Sequence, residues 1–189
     1  MKLLSLLFLF FSFSLHAQDS SSVRKRNIIK PHLLMSIYGA VTNQSAINIE
    51  FERELNKRNS ISFQIANFYF KENYGQVWNE NFIFVQYRHY LKSKRDKALR
   101  GFYLGAELFS FQYTHRNSSY SYYSNNSGLI GLLGYQTFIK DRISLDWGLG
   151  PGIAFKIWEK KTPVNNADTR PVNPAGNIYF SIGYSFFSR

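Results

Sequence analysis

The sequence predicts an all-β fold, an eight-stranded antiparallel up-and-down transmembrane β-barrel, and three observations carry that prediction. The stretch from Asn177 to Phe187 sets Ile178, Phe180, Ile182, Tyr184 and Phe186 against Asn177, Tyr179, Ser181, Gly183 and Ser185. Successive side chains of a strand point to opposite faces, so one face is apolar and the other mostly small or polar. Its 11 positions match the roughly 9–11 residues a tilted strand needs to cross a bilayer. At the other end, Lys2 precedes an apolar run from Leu3 to Leu15, and Leu15-His16-Ala17 resembles a small-residue cleavage site. That is the pattern of a secretory signal peptide, cut near Ala17. Between the two, strand-like segments are joined by connections that mostly alternate between short and long, as in outer-membrane barrels.

Bulk properties agree with this class. The chain has 189 residues, one domain's worth. It is 18% aromatic, with 13 Tyr and 18 Phe, which suits an aromatic girdle at each membrane interface. Mean hydropathy is −0.28, and past the signal no run is long enough for a transmembrane helix. The absence of cysteine excludes disulfides and thiolate metal sites. The formal charge is +11, a balance that points to nucleic acid or to anionic lipid. An exported chain with no nucleic-acid motif is expected to meet lipid, phospholipid and lipopolysaccharide alike, and not nucleic acid.

Residues 18–30, polar and basic, read as a flexible periplasmic segment, and residues 31–189 as the barrel. The first strand is expected over 32–40, with a turn at 41–44. The second, 46–55, alternates Ile47, Ile49 and Phe51 with Asn48, Glu50 and Glu52, and 56–59 is a tight turn. The third, 60–70, alternates Ile61, Phe63 and Ile65 with Ser62, Gln64 and Ala66 before ending in an aromatic cluster. A loop at 71–79 leads to the fourth, 80–91, and a basic turn at 92–100 to the fifth, 101–113. A loop at 114–127, rich in Ser, Asn and Tyr, precedes the sixth strand, 128–139, and 140–142 turns the chain. The seventh, 143–158, places Leu145, Trp147 and Leu149 opposite Ser144, Asp146 and Gly148. Pro151 should fall near a bulge or an outer rim, because proline cannot donate to a ladder. After a long loop at 159–175 the final strand closes the ring.

An even strand number puts both termini on one side, the periplasm. The long segments 71–79, 114–127 and 159–175 then lie outside, and the turns 56–59 and 140–142 inside. The 41–44 connection is short for an outer loop. The periplasmic segments 18–30, 56–59, 92–100 and 140–142 sum to +3, +2, +4 and +1, against 0, +1 and +1 for the three outer loops. Such a rim suits anionic headgroups of the inner leaflet or serves the solubility of exposed turns. The strand from Asn177 to Phe187 is expected to be read by the barrel-assembly machinery.

Strand parity turns Glu50, Glu52, Arg88, Glu107 and Asp146 into the barrel, because charge facing lipid costs several kcal/mol at the midplane. Eight strands enclose a space just wide enough to be filled by side chains. These residues are therefore read as an internal charge network, with a proton path or narrow pore as the alternative. Strands four and five are neighbours, so Arg88 and Glu107 pair if their depths match. Glycines in the later strands make room for bulky inward neighbours such as Tyr103 and Tyr179. The histidines show no metal-binding spacing, so no metal or cofactor is expected. His115 with Ser118 is the weak catalytic alternative, after barrel hydrolases that act on lipid A. A serine nucleophile needs a base that a third group orients. Glu107, about 26 Å along the strand from His115, lies out of reach. The mixed aromatic and polar loop 114–127 is either an ordinary rim or a contact for an extracellular ligand.

Five segments follow one another along the chain: Ile49-Glu-Phe-Glu-Arg53, Gln86-Tyr-Arg-His-Tyr-Leu91, Gly101-Phe-Tyr-Leu-Gly105, Gly131-Leu-Leu-Gly-Tyr135 and Leu145-Asp-Trp-Gly-Leu-Gly150. In this order they resemble a family of small outer-membrane β-barrel proteins of Gram-negative bacteria. The resemblance covers residues 28–187 and implies an outer-membrane barrel, mostly of unknown function, with no catalytic residues to carry over. The expected role is non-catalytic, structural or surface-interacting. The alternatives are a lipid A hydrolase and a soluble lipocalin-like barrel, which differ in chemistry and in which face of each strand turns inward.

Overall fold

A computed structural model describes residues 25–32, 45–71, 76–91, 99–117, 120–162 and 172–188. Residues 1–17, expected to be a signal peptide, and residues 18–24 lie outside these. Eight antiparallel strands form a closed ring in sequence order. They are β1 Lys25–Pro31, β2 Ser45–Asn56, β3 Asn59–Lys71, β4 Val77–Tyr90, β5 Gly101–Arg116, β6 Ser121–Ile139, β7 Ile143–Thr162 and β8 Val172–Ser188. The ring shuts where β1 meets β8, Lys25 opposite Ser188 and Ile29 opposite Tyr184. Both ends of the barrel chain, with the turns after β2, β4 and β6, therefore share one end, called here the terminal end. The connections after β1, β3, β5 and β7 share the other, the loop end.

Two tight turns at the terminal end show why the sequence stops there. The side-chain oxygen of Asn56 accepts from the backbone N–H groups of Arg58 and Asn59, at 3.0 Å each, the local bonding by which asparagine makes turns. Lys140 and Asp141 both have positive φ, 50° and 60°, and the Arg142 N–H donates to the Ile139 carbonyl at 3.2 Å. Two such residues in succession make the primed turn whose twist matches a hairpin.

The elements differ from the sequence expectation in three places. The first strand is Lys25–Pro31, not 32–40, so part of the segment read as a flexible lead-in is barrel wall. Residues 33–44 lie outside the described residues. The turn expected at 41–44 lies among them. Second, β5 and β6 stay paired out to Arg116 opposite Ser121, so most of the expected 114–127 loop is strand. Backbone pairing between two neighbouring strands tolerates polar side chains, which the Ser/Asn/Tyr composition concealed. Third, β7 and β8 also extend, to Thr162 and back to Val172. Pro151 lies inside β7, opposite Gly176 of β8. The β6–β7 ladder skips from Ile130–Gly152 to Leu133–Leu149 beside it, as a residue without an N–H requires.

Polarity is inverted across the wall. Outward positions such as Ile49, Phe51, Phe63, Ile65, Val85, Leu108, Leu129, Leu149 and Ile182 are exposed. Inward positions include Lys30, Glu50, Glu52, Arg88, Glu107, Gln136 and Asp146, each fully buried at 0% exposure. Ordinary folding buries the apolar face and rarely buries unpaired charge; here the interior is ionic and the outside is hydrocarbon.

Candidate functional site: a layered lumen

The interior is built in layers from the terminal end upward. The lowest is a small apolar cluster of Ile28, Tyr90, Leu99, Tyr103 and Phe138. Leu99 reaches it from the β4–β5 connection, and Gln136 Nε2 donates to its carbonyl at 3.2 Å. The Arg26 guanidinium lies over the Phe138 ring, 4.4 Å from its centroid. Arg100 bonds to Asp141 beside it.

Above this lies the charge network. Arg88 from β4 donates through Nη2 to Glu50 Oε1 at 2.8 Å and through Nη1 to Asp146 Oδ2 at 2.7 Å. Lys30 from β1 places Nζ 2.6 Å from both Asp146 Oδ2 and Glu52 Oε2, and 2.8 Å from Gln136 Oε1. Two cations thus bridge three carboxylates from β2 and β7. Two of the three remaining oxygens are also taken, and Glu50 Oε2 has no hydrogen-bond partner among the described residues. Ser60 and Tyr90 hydroxyls donate to Glu52 Oε1 at 2.5 and 2.9 Å. The Tyr103 hydroxyl donates to Asp146 Oδ1 at 3.0 Å and bonds to the Tyr179 hydroxyl. The Arg88 guanidinium lies over the rings of Tyr103 and Tyr179, 5.0 and 5.7 Å from their centroids. A buried charge is tolerable when paired and hydrogen-bonded in this way.

The network needs room, and glycines provide it. A Cβ on Gly148 would lie 2.7 Å from the Tyr179 ring, and one on Gly134 would collide with the Tyr103 ring. These are the inward aromatics that the glycine-rich later strands were expected to accommodate.

Four of the five predicted lumen residues, Glu50, Glu52, Arg88 and Asp146, meet directly. Glu107 is also buried but does not bond to Arg88. The register sets Gln86 opposite Glu107 and Arg88 opposite Gly105. Glu107 instead accepts from Gln86 and, at 3.1 Å, from Asn177. Lys30 was missed. Its neighbours Lys25 and Arg26 make the segment look solvated, and only the alternation of Arg26, Ile28 and Lys30 with Asn27 and Ile29 marks it as strand. The oxygens of Glu50, Glu52 and Asp146 lie within 4.8 Å of one another, a spacing that could hold a cation. Lys30 and Arg88 already sit on those oxygens.

The next layer is made of amides and one imidazole. Gln64 Nε2 donates to Asn48 Oδ1 at 2.9 Å, and His32 Nε2 lies 3.4 Å from Glu50 Oε2. Over it opens a cavity of about 550 Å³ at the loop end, with Phe68, Phe82, Phe84, Phe109 and Phe111 on one wall. Near the rim, His115 packs on Trp78 at 4.2 Å between ring centroids, and its Nε2 lies 3.4 Å from Gln76 Oε1. Ser118 lies outside the described residues. What this interior does most plainly is cross-link the strands: ion pairs join β1, β2, β4 and β7 above a small apolar cluster.

The chain belongs to the family described as Protein of unknown function (DUF3575), whose model matches residues 5–182. No curated protein and no solved structure matches it.

Proposed function

We propose that the chain is an integral outer-membrane β-barrel protein, closed to ions by its charge network, with a non-catalytic structural or surface-interaction role. The observation that carries this reading is the inverted wall: apolar side chains outside, ion pairs inside. In water, an apolar belt around the whole molecule would be an association site. In a bilayer it is the ordinary surface of a barrel, and a closed ring leaves no strand edge unpaired. A soluble lipocalin-like barrel would need the opposite parity in the half where the charges lie. The signal-like N-terminus favours export, and the amphipathic β8 suits recognition by the assembly machinery. In this reading the terminal end faces the periplasm, and its basic turns meet anionic phospholipid headgroups.

An outer-membrane fraction run unheated and heated on an SDS gel tests this. The proposal expects a band that migrates differently only when unheated; recovery in the soluble periplasm without such a shift would overturn it. The hydrolase alternative requires a carboxylate to orient His115, whose ring nitrogen faces the Gln76 amide. Mass spectra of lipid A from cells with and without the protein should be the same; a lost acyl chain would sink the non-catalytic reading.

A further inference from the structure

The loop-end cavity is a second feature of the lumen, and the charge network does not account for it. Five phenylalanines from three adjacent strands form a continuous wall: Phe82 stacks on Phe111 at 4.4 Å and on Phe84 at 5.6 Å, and meets Phe68 edge-on at 5.8 Å. These are inward positions of the same strands that point Gln64, Gln86, Arg88 and Glu107 inward nearer the terminal end. The lumen lining therefore changes from ionic to hydrocarbon along its length. Facing the aromatic wall are small residues, including Ala154 of β7 and Ala175 of β8. Rings on one side and short side chains on the other, Asn126 and Asn173 among them, leave a mostly apolar space that the described residues do not fill, although side chains there would restore the contacts a void forfeits. A space of about 550 Å³ is within the range of small-molecule sites.

The floor is polar and supplies direction. It is made by His32, Asn48, Gln64 and Asn177, with His32 Nε2 turned to Glu50 Oε2 at 3.4 Å. The bonds Gln64 Nε2 to Asn48 Oδ1 and Asn177 Nδ2 to Glu107 do not use the Asn48 amide nitrogen or the carbonyl oxygens of Gln64 and Asn177. The three amides therefore offer one donor group and two acceptors. Beneath it stand four carboxyl groups, Glu50, Glu52, Glu107 and Asp146, against two formal cations, Lys30 and Arg88. That imbalance disfavours an anionic head in a low-dielectric interior.

The geometry points to a binding site for an electrically neutral, mostly hydrocarbon molecule that carries one hydrogen-bonding group, such as a long-chain alcohol. The apolar part lies between the phenylalanine wall and Ala154–Ala175, and the polar group meets the amide floor. This site rests on the closed barrel and its strand parity rather than on residence in the outer membrane.

The full chain, refolded in phosphatidylcholine vesicles, would be illuminated with hexadecanol bearing a mid-chain diazirine, and separately with the matching hexadecanoic acid. Attachment is mapped residue by residue by mass spectrometry. The expected result is attachment of the alcohol at Phe82, Phe84, Phe109 and Phe111, lost in Ala154→Trp and in Ala175→Phe, with attachment at Leu108 and Leu129 unchanged. The acid should label only the outward positions. Two filling variants on different strands guard against one failing to fold, and the unheated gel shift reports folding separately. Labelling confined to outward residues would overturn the site, as would inner labelling that survives both variants. Equal inner labelling by the acid would overturn the neutral-head assignment. A lost gel shift with intact inner labelling would overturn the membrane proposal alone.

Discussion

Arg88 holds the interior together at the scale of single residues. Its guanidinium touches carboxylates from β2 and β7 and two tyrosine rings, so removing it leaves three buried carboxylates to share Lys30 alone. Loss of one member of a buried ion pair typically costs about 3–5 kcal/mol. Arg88→Met should destabilise the folded barrel by that order in denaturant unfolding from vesicles, and Lys30→Met similarly; a change below 1 kcal/mol, roughly the worth of an exposed pair, would mean the network is ornamental. Much of this network was legible in the sequence, because a charge at an inward position of an otherwise apolar strand has nowhere else to go. Glu50, Glu52, Arg88, Glu107 and Asp146 all stand out on that ground. The pairing was not legible. Whether Arg88 meets Glu107 depends on the stagger between β4 and β5, and the register puts them two residues out of step. Lys30 was hidden because a lysine near other basic residues reads as solvated, whatever its parity.

Elements differ in how far their alternation announces them. β2 and β3 alternate sharply and were recognised to within one residue at each end. β1 was misplaced, because its inward face carries Arg26 and Lys30 and its outward face Asn27 and Pro31. The loop-end tips of β5 to β8 were read as loop because Ser, Asn, Tyr and Lys occupy both faces there. Backbone hydrogen bonds, not side-chain polarity, continue those hairpins. The outward face of β5 gives the test at this scale. Leu108 is exposed between Val85 and Leu129 on the adjoining strands, near the middle of the apolar belt. Arginine facing lipid at the midplane costs about 2–4 kcal/mol, so Leu108→Arg should lower stability in vesicles by that amount. The control Thr114→Arg, near the loop end of the same strand, should cost less than half as much, since the penalty falls toward about 0–1 kcal/mol at the interface. Equal costs at the two depths would argue against a bilayer around β5.

For the whole molecule, the apolar cluster and the ionic layer cross the lumen one above the other, and together they close it at the terminal end. Planar-bilayer recordings should therefore show no single-channel conductance. Steady openings in the unmodified chain would mean that the ion pairs exchange partners or part. The inversion itself, hydrocarbon out and charge in, is the central claim, and Trp147 reads it most directly. Its ring points outward from β7, is 42% exposed, and lies beside the outward Tyr135 at 6.3 Å between ring centroids. With Trp78→Phe and Trp158→Phe in place, Trp147 is the sole tryptophan, and its fluorescence can be followed in vesicles of phosphatidylcholine brominated near the top of the acyl chains. The account predicts strong quenching relative to unbrominated vesicles. An unquenched, water-like emission from folded protein would contradict it.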